Sequence, residues 1–242
     1  MSGELLAEDR GAVRVLTMNR PDKRNALNTA LTRALLEGLR EADAASPVRC
    51  VVLTGAGQGF CAGADLSEFK DLKPENAGLV EARADLTMQL HLAIPRMAKP
   101  VVTAINGAAM GGGAGLAVAG DLAVMAESAK LGYPEVRHGI VAAIVMANLV
   151  RQVGRKAAFE LVSLGEPVGA DRALALGMVN RVVADSELMR EALRLAEKLA
   201  SMDAQALQAT KRLFHDAADL PLEEALERGR ETNKRMRGFR KA

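Results

Sequence analysis

The chain has 242 residues and a formal net charge of +2, and 49% of its residues are hydrophobic whereas only 2% are aromatic. This near-neutral balance gives no argument for a nucleic-acid-binding protein. Two cysteines, Cys50 and Cys61, are too few for a disulfide framework and fit a reducing compartment. We therefore expect a cytoplasmic α/β protein with one large core, or with a core and a small appendage.

The first hundred residues alternate predicted strands and helices, a pattern that favours βα-type units. Residues 5–8 and 12–18 are predicted as strands around a turn at Gly11. The spacing of leucines predicts a helix over residues 28–44, and a near-continuous apolar run predicts a buried strand over residues 48–54. A long helix is predicted over residues 76–97.

The rest of the chain changes character near residue 185. Before that point we predict further strands and helices, with a fixed, non-helical turn at Tyr133, Pro134 and Glu135. The predicted strands are 101–105, 122–125, 130–132 and 178–183, and the predicted helices are 116–119, 142–151, 155–163 and 170–176. From residue 187 only helices are predicted, at 187–201, 203–217 and 222–236. We therefore divide the chain into residues 1–185 and residues 186–242.

Residues 101–120 form a stretch of twenty residues without a charge, which is long enough to span a bilayer. Six of them are glycines, and Pro100 precedes the stretch. The start of the chain also has no basic-then-apolar signal pattern. We expect a buried strand, turn and helix rather than a membrane segment.

Two glycine-rich segments follow predicted strands and lead into predicted helix starts, at residues 55–66 and 106–115. Free backbone N–H groups at such a helix start can stabilise a negative charge, including an oxyanion that develops during a reaction. The second segment matches neither the dinucleotide fingerprint nor the Walker phosphate loop. In the first segment, Asp65 and Glu68 have the spacing of a capping box.

Glu135 is the acid best suited to proton transfer. Apolar and small residues surround it in the sequence, and a carboxylate in apolar surroundings has a raised pKa. The alternative is a surface glutamate paired with Arg137 or a neighbouring lysine. The three histidines, His91, His138 and His215, form no ligand pattern, so no metal site is predicted.

Three segments together resemble the enoyl-CoA hydratase/isomerase family, also called the crotonase family. They are residues 19–28 (NRPDKRNALN), 59–66 (GFCAGADL) and 105–113 (INGAAMGGG). The resemblance extends from about residue 5 to residue 237. It implies a spiral of ββα units with a C-terminal all-helical trimerisation region, in a homotrimer or a homohexamer.

The resemblance also implies an acyl-CoA site without a separate cofactor, since CoA is part of the substrate. At the matching positions, the backbone amides of Ala64 and Gly112 would hold the thioester oxygen, and Glu135 would carry protons. Lys23 and Arg24 match a position that often contacts the CoA phosphates. The backbone around Ala62 and Asp65 would lie near the adenine.

The chain departs from the hydratase pattern at Gly115, where family hydratases commonly have a second glutamate. Ala142 lies near the family's alternative acid position, so dehalogenase chemistry is disfavoured. We expect hydration of a 2-enoyl-CoA in fatty-acid or related acyl-CoA catabolism. The alternative is a Δ3,Δ2-enoyl-CoA isomerase with Glu135 as the single base.

Two further alternatives stay open. A non-catalytic acyl-CoA-binding homologue would keep the fold after losing half of the acid pair. RNA binding is suggested only by seven Lys or Arg among residues 228–242, without the aromatic residues that usually accompany such a function.

Overall fold

The computed structural model describes residues 3–237. Residues 1–2 of the predicted unit 1–185 and residues 238–242 of the predicted unit 186–242 lie outside the described part. The second group includes Arg240 and Lys241 of the basic C-terminus. The described strands are β1 (Leu5–Arg10), β2 (Val13–Met18), β3 (Cys50–Gly55), β4 (Gly59–Cys61), β5 (Val101–Ile105), β6 (Ala108–Met110), β7 (Leu122–Ala126), β8 (Lys130–Gly132), β9 (Val168–Gly169) and β10 (Arg181–Val183). The described α-helices are α1 (Thr29–Ala44), α2 (Ala77–Arg96), α3 (Gly112–Ala119), α4 (Met146–Val153), α5 (Arg155–Leu164), α6 (Ala170–Ala175), α7 (Leu188–Ala200), α8 (Ala204–Asp219) and α9 (Leu222–Arg237).

The strands form two sheets. The larger has the order β1-β2-β3-β5-β7-β10 and is parallel except for the β1–β2 hairpin. The smaller has the order β4-β6-β8-β9, with only the β8–β9 pair antiparallel. Three successive strand pairs, β3–β4, β5–β6 and β7–β8, each place their first strand in the large sheet and their second in the small one. This repetition is the predicted spiral of ββα units.

The inner strands of the large sheet are held by burial on both faces, whereas the edge strands β1 and β10 are more exposed. Every residue of β3 is buried, as expected for a near-continuous apolar strand in a parallel sheet. Helix α1 covers this sheet with Leu31, Leu35 and Leu39, which recur at helical spacing and are fully buried. Asn28 caps α1 by accepting a hydrogen bond from Leu31 N at 2.7 Å.

Helices α7 and α8 attach to the rest of the fold in different ways. Helix α7 packs on β3, β5 and β7, and its apolar face is buried. Helix α8 is fastened by Lys211, whose Nζ donates to the carbonyl oxygens of Ile94 and Lys99 and to the carboxylate of Asp121. The helical C-terminal region is therefore confirmed, while the division at residue 185 stays a prediction.

Several local predictions were wrong, and three of them concern turns or helix starts. Pro134–His138 is a 3₁₀-helix, not a non-helical turn, because Pro134 sits at its first position, where the missing N–H costs nothing. Asp65 does cap a 3₁₀-helix through Ser67 N, but Glu68 completes no capping box. Its carboxylate accepts from Thr29 N at the start of α1 instead, at 2.9 Å. The helix predicted from residue 142 begins at Met146.

Candidate active site

The two glycine-rich segments meet at the ends of the neighbouring strands β4 and β6. A β-carbon on Gly63 would lie 2.6 Å from Met110 O and 3.5 Å from Gly112 N. Because Gly63 has a φ of +89° and no room for a side chain, only glycine allows this approach. The loop that carries Ala64 is thus held against the start of α3.

Two backbone N–H groups remain free at this junction. The bridge between Leu27 and Ala64 uses Leu27 N and Asp65 N as donors, which leaves the amide of Ala64 outside the ladder. Gly112 is the first residue of α3, where N–H groups have no intrahelical acceptor. Among residues 3–237, neither amide has a hydrogen-bond acceptor. Two such donors can stabilise an oxyanion between them.

A cavity of about 440 Å³ opens over these amides. Of the seven predicted site residues, six line it, and the exception is Arg24. The six are Lys23, Ala62, Ala64, Asp65, Gly112 and Glu135. Its apolar wall comes mainly from the segment after the 3₁₀-helix Pro134–His138 and from the 3₁₀-helix Leu66–Lys70 after β4. The apolar residues of this wall are Ile140, Val141, Ile144, Val145, Leu66 and Phe69. A larger cleft of about 780 Å³ between α8 and α9 contains none of the predicted site residues.

Glu135 faces this cavity from the first turn of its 3₁₀-helix. A β-carbon on Gly111 would lie 2.8 Å from its Oε1, and its Oε2 has no hydrogen-bond partner among residues 3–237. Burial raises the pKa of Glu135, while its own backbone N–H and the nearby His138 partly oppose that shift. Arg137 pairs with Glu166 instead, so the interpretation of a surface Glu135–Arg137 pair was wrong.

The carboxylate of Asp65 is engaged in shaping the loop. It accepts from Ser67 Oγ at 2.7 Å and from Arg20 Nη1 at 2.9 Å, and these contacts lower the pKa of Asp65. Arg20 also donates to Ala26 O and pairs with Glu4. The backbone of Asp65 is paired as well: its N–H donates to Leu27 O and its carbonyl accepts from Glu68 N, so only a second hydrogen bond to that carbonyl is open to a ligand. Sequence reasoning missed Arg20, although it lies inside the first of the three family-like segments.

The position of the absent second acid is filled from another helix. A β-carbon on Gly115 would lie 2.7 Å from His91 Cε1 and 3.1 Å from Val145 Cβ. His91 belongs to α2, is only 4% exposed, and has no hydrogen-bond partner for either ring nitrogen among the described residues. Thr87, one helical turn before His91 on the same helix, lines the cavity.

Other reactive groups are inert. Burial raises the pKa of both Cys50 and Cys61 to about 12, so neither thiol is a nucleophile at neutral pH.

Within residues 3–237, no group of three or more His, Cys, Asp or Glu side chains is placed to hold a metal ion. None of the helices in this part of the chain combines the length and apolar character needed to cross a membrane. Ala142 lines the cavity without an acidic group.

Known proteins share this architecture along almost the whole chain. The family model described as Enoyl-CoA hydratase/isomerase matches residues 8–238. A putative enoyl-CoA hydratase of Thermus thermophilus is 43% identical over 217 residues, which cover 89% of this chain and 85% of that protein. The 2,3-dehydroadipyl-CoA hydratase of Escherichia coli is 34% identical over 229 residues, covering 94% and 88%.

Solved structures give the same result. An enoyl-CoA hydratase of Mycobacterium smegmatis superposes with a TM-score of 0.91 at 35% identity, covering 96% of this chain and 90% of its own. The family match, the related sequences and the ββα spiral agree, and the chain belongs to the enoyl-CoA hydratase/isomerase family.

Proposed function

We propose that this protein catalyses the reversible hydration of a 2-enoyl-CoA thioester, in fatty-acid or related acyl-CoA catabolism. Relatives named as enoyl-CoA hydratases bear out the acyl-CoA chemistry predicted for the chain. The observation that carries the proposal is one cavity that contains two free amides, of Ala64 and Gly112, beside the half-buried carboxylate of Glu135.

The thioester oxygen would accept hydrogen bonds from these two amides. Glu135 takes a proton from a water molecule, and the water oxygen forms a bond to C3. The electron pair of the C2=C3 bond moves onto the thioester oxygen, which the two amides stabilise as an enolate. Glu135 then returns its proton to C2. The atoms of one water are added, and the carboxylate is regenerated.

The CoA moiety would lie along the loop after β4. Lys23 is exposed at the cavity and supplies a positive charge for a phosphate, whereas Arg24 is exposed but outside the cavity lining. The backbone of Ala62 and Asp65 would contact the adenine. This chemistry requires no cofactor beyond the CoA of the substrate.

We also propose a homotrimer or homohexamer in the cytoplasm, with no nucleic acid or membrane partner. Large apolar side chains are exposed on α5, α8 and α9, and burial between subunits would remove them from water. These side chains are Phe159, Phe214, Leu222 and Leu226. The proposed location is supported by two cysteines that are both unpaired.

Isomerisation of a 3-enoyl-CoA is the second candidate. It is favoured by one observation: Gly115 supplies no second carboxylate, and a single base can move a proton from C2 to C4. The relatives' names favour hydration over this reaction.

One spectrophotometric comparison separates the candidates. The purified protein is incubated in parallel with crotonyl-CoA and with a 3-enoyl-CoA. Hydration removes the conjugated enoyl absorbance, whereas isomerisation creates it. We expect the kcat/KM for hydration of crotonyl-CoA or a longer 2-enoyl-CoA to exceed the kcat/KM for isomerisation of the 3-enoyl-CoA. Binding of these thioesters without conversion of either class would instead indicate the non-catalytic homologue.

A further inference from the structure

Unpartnered polar atoms are concentrated around the candidate active site. Six buried side-chain nitrogen or oxygen atoms of residues 3–237 have no hydrogen-bond partner, and four of them belong to His91, Tyr133 and Glu135. Buried polar groups in folded proteins are almost always paired, so exceptions call for an explanation such as a ligand or a catalytic role. Glu135 already has such a role in the proposed reaction, whereas His91 does not.

The imidazole of His91 lies directly behind the cavity wall. Thr87, one turn earlier on the same helix, lines the cavity, and so does Val145. The same β-carbon position on Gly115 would contact both His91 Cε1 and Val145 Cβ. His91 therefore reaches the point where the cavity wall meets α3, although it enters from α2.

His91 and Glu135 flank the same turn of α3. The Glu135 carboxylate lies against Gly111 and the His91 ring lies against Gly115, while Gly115 N donates to Gly111 O at 2.9 Å. One helical turn rises by roughly 5.4 Å. Because residues four apart lie on one face of a helix, the two side chains approach the same face of α3 about one turn apart.

The His91 ring has the chemistry to orient a bound oxygen. Burial lowers the pKa of the His91 imidazole to about 4, so the ring is neutral at physiological pH. A neutral imidazole offers one N–H donor and one nitrogen acceptor, which are the two functions that orient a water molecule or a hydroxyl group.

We propose that His91 is a positioning residue that holds the oxygen to be added at C3, in place of the carboxylate that Gly115 cannot provide. This inference rests on the proposed hydration. Glu135 still takes the proton from the water and returns it to C2, and His91 neither gains nor loses a proton during the reaction.

The test combines kinetics with a binding measurement that needs no turnover. Hydration and isomerisation rates are measured for the wild type, His91→Leu and His91→Gln. Separately, protein labelled with ¹⁵N-histidine is titrated with 3-hydroxybutyryl-CoA, which has an oxygen at C3, and with butyryl-CoA, which has none. The ring signals of His215, which pairs with Asp121 away from the cavity, serve as an internal reference.

We expect His91→Leu to lower the hydration kcat by about 10- to 100-fold with a KM within about threefold of the wild type, because the CoA contacts are unchanged. His91→Gln, which keeps a donor and an acceptor, should recover part of the loss. Any isomerisation rate should stay within about twofold, since no water takes part. The His91 ring signals should shift with 3-hydroxybutyryl-CoA and not with butyryl-CoA.

The outcomes separate this inference from the proposed function. A wild type that hydrates nothing, but shows the oxygen-dependent His91 shift, would refute the proposed hydration and leave the placement of His91 supported. A wild type that hydrates normally, with an unaffected His91→Leu rate or with no oxygen-dependent shift, would overturn the role of His91. That role would also be overturned if His91→Leu slowed hydration and isomerisation equally.

Discussion

The carboxylate of Glu135 lies against the backbone of Gly111, so closely that a β-carbon on Gly111 would be 2.8 Å from Oε1. Gly111 also has a φ of +53°, a conformation that side chains rarely adopt. The glycine therefore serves two needs at once: it turns the chain into α3, and it leaves room for the proposed proton carrier.

Replacing Glu135 by Gln should abolish most of the activity while preserving the fold. The amide fills nearly the same volume but cannot accept a proton from water, so kcat for hydration should fall by about 10²- to 10⁴-fold. Glu166→Gln is the matched control, because Glu166 is exposed and pairs with Arg137 outside the cavity. A Glu135→Gln protein with an unchanged rate would exclude Glu135 as the proton carrier.

Gly111→Ala should lower kcat as well as stability, because the added methyl group meets the Glu135 carboxylate. The backbone strain alone costs about 1–3 kcal/mol of stability, because φ +53° with ψ −118° is a backbone conformation that side chains rarely adopt. Gly11→Ala is the comparison for a positive φ without a neighbouring side chain, since Gly11 has a φ of +59° with open space around it. At Gly111 the added methyl group must also displace the Glu135 carboxylate. We expect both variants to lose stability in urea unfolding, Gly111→Ala more than Gly11→Ala, but a loss of kcat only in Gly111→Ala. Equal kcat values in the two variants would contradict this close contact.

The activity should be lost in acid at a higher pH than an ordinary glutamate would give. Hydration needs the Glu135 carboxylate, and burial raises the pKa of that group, so kcat should fall as the pH is lowered through the raised value. A pH–rate profile measures this midpoint. An acid limb at the pKa of an exposed glutamate, about 4.3, would argue against a buried base.

Stability should respond to the same group with the opposite preference. A carboxyl whose pKa is raised in the folded state contributes stability below its unfolded-state pKa, and this contribution is lost as the pH rises through the folded-state value. At neutral pH the charged Glu135 therefore destabilises the fold. We expect Glu135→Gln to melt at a higher temperature than the wild type near neutral pH, with the difference shrinking toward about pH 4. A constant difference across this range would refute the linkage.

Lys23 and Arg24 should differ in substrate binding although they are adjacent and equally charged. Only Lys23 lines the cavity, so Lys23→Ala should raise KM for an acyl-CoA by about 3- to 10-fold with little change in kcat, corresponding to about 1 kcal/mol for an exposed charge. Arg24→Ala should leave both parameters within about twofold. The effect of Lys23→Ala should diminish at high ionic strength. Equal effects of the two variants would favour a general positive surface over a specific contact.

Lys211 should be the most costly lysine to replace among those with described ion pairs. It is only 7% exposed, and Lys211→Met leaves Asp121 and two carbonyl oxygens without its three hydrogen bonds. We expect a loss of about 3–5 kcal/mol in the free energy of unfolding. Lys234→Met, at an exposed pair with Glu231, should cost less than about 1 kcal/mol. Similar urea midpoints for the two variants would contradict the anchoring of α8.

The sequence predicted the large elements well because their signals are local. Helix α1 and strand β3 follow directly from leucine spacing and an apolar run. Strands β4 and β6 were predicted as loops. Each has three residues, contributed by a glycine-rich segment, and each is a strand because of its neighbours in the small sheet: β4 pairs with β6, and β6 also pairs with β8.

Part of the candidate site was also predicted, in this case from the family resemblance. The cavity brings together Ala64, Gly112 and Glu135, which the family resemblance had assigned to one site. The resemblance did not predict that Lys23 would line the cavity and Arg24 would not, since this difference depends on the conformation of one loop. Nor did it connect Gly115 with His91, because the contact joins different helices and nothing in either segment alone reveals it.

The close packing of His91 on Gly115 restricts the order in which this protein could acquire a glutamate at position 115. Such a side chain would begin within 2.7 Å of the imidazole, so the substitution would be penalised for as long as the ring keeps its present place. A path toward two carboxylates would have to pass first through a change at position 91. The two sites are therefore expected to vary together rather than independently among descendants of this sequence.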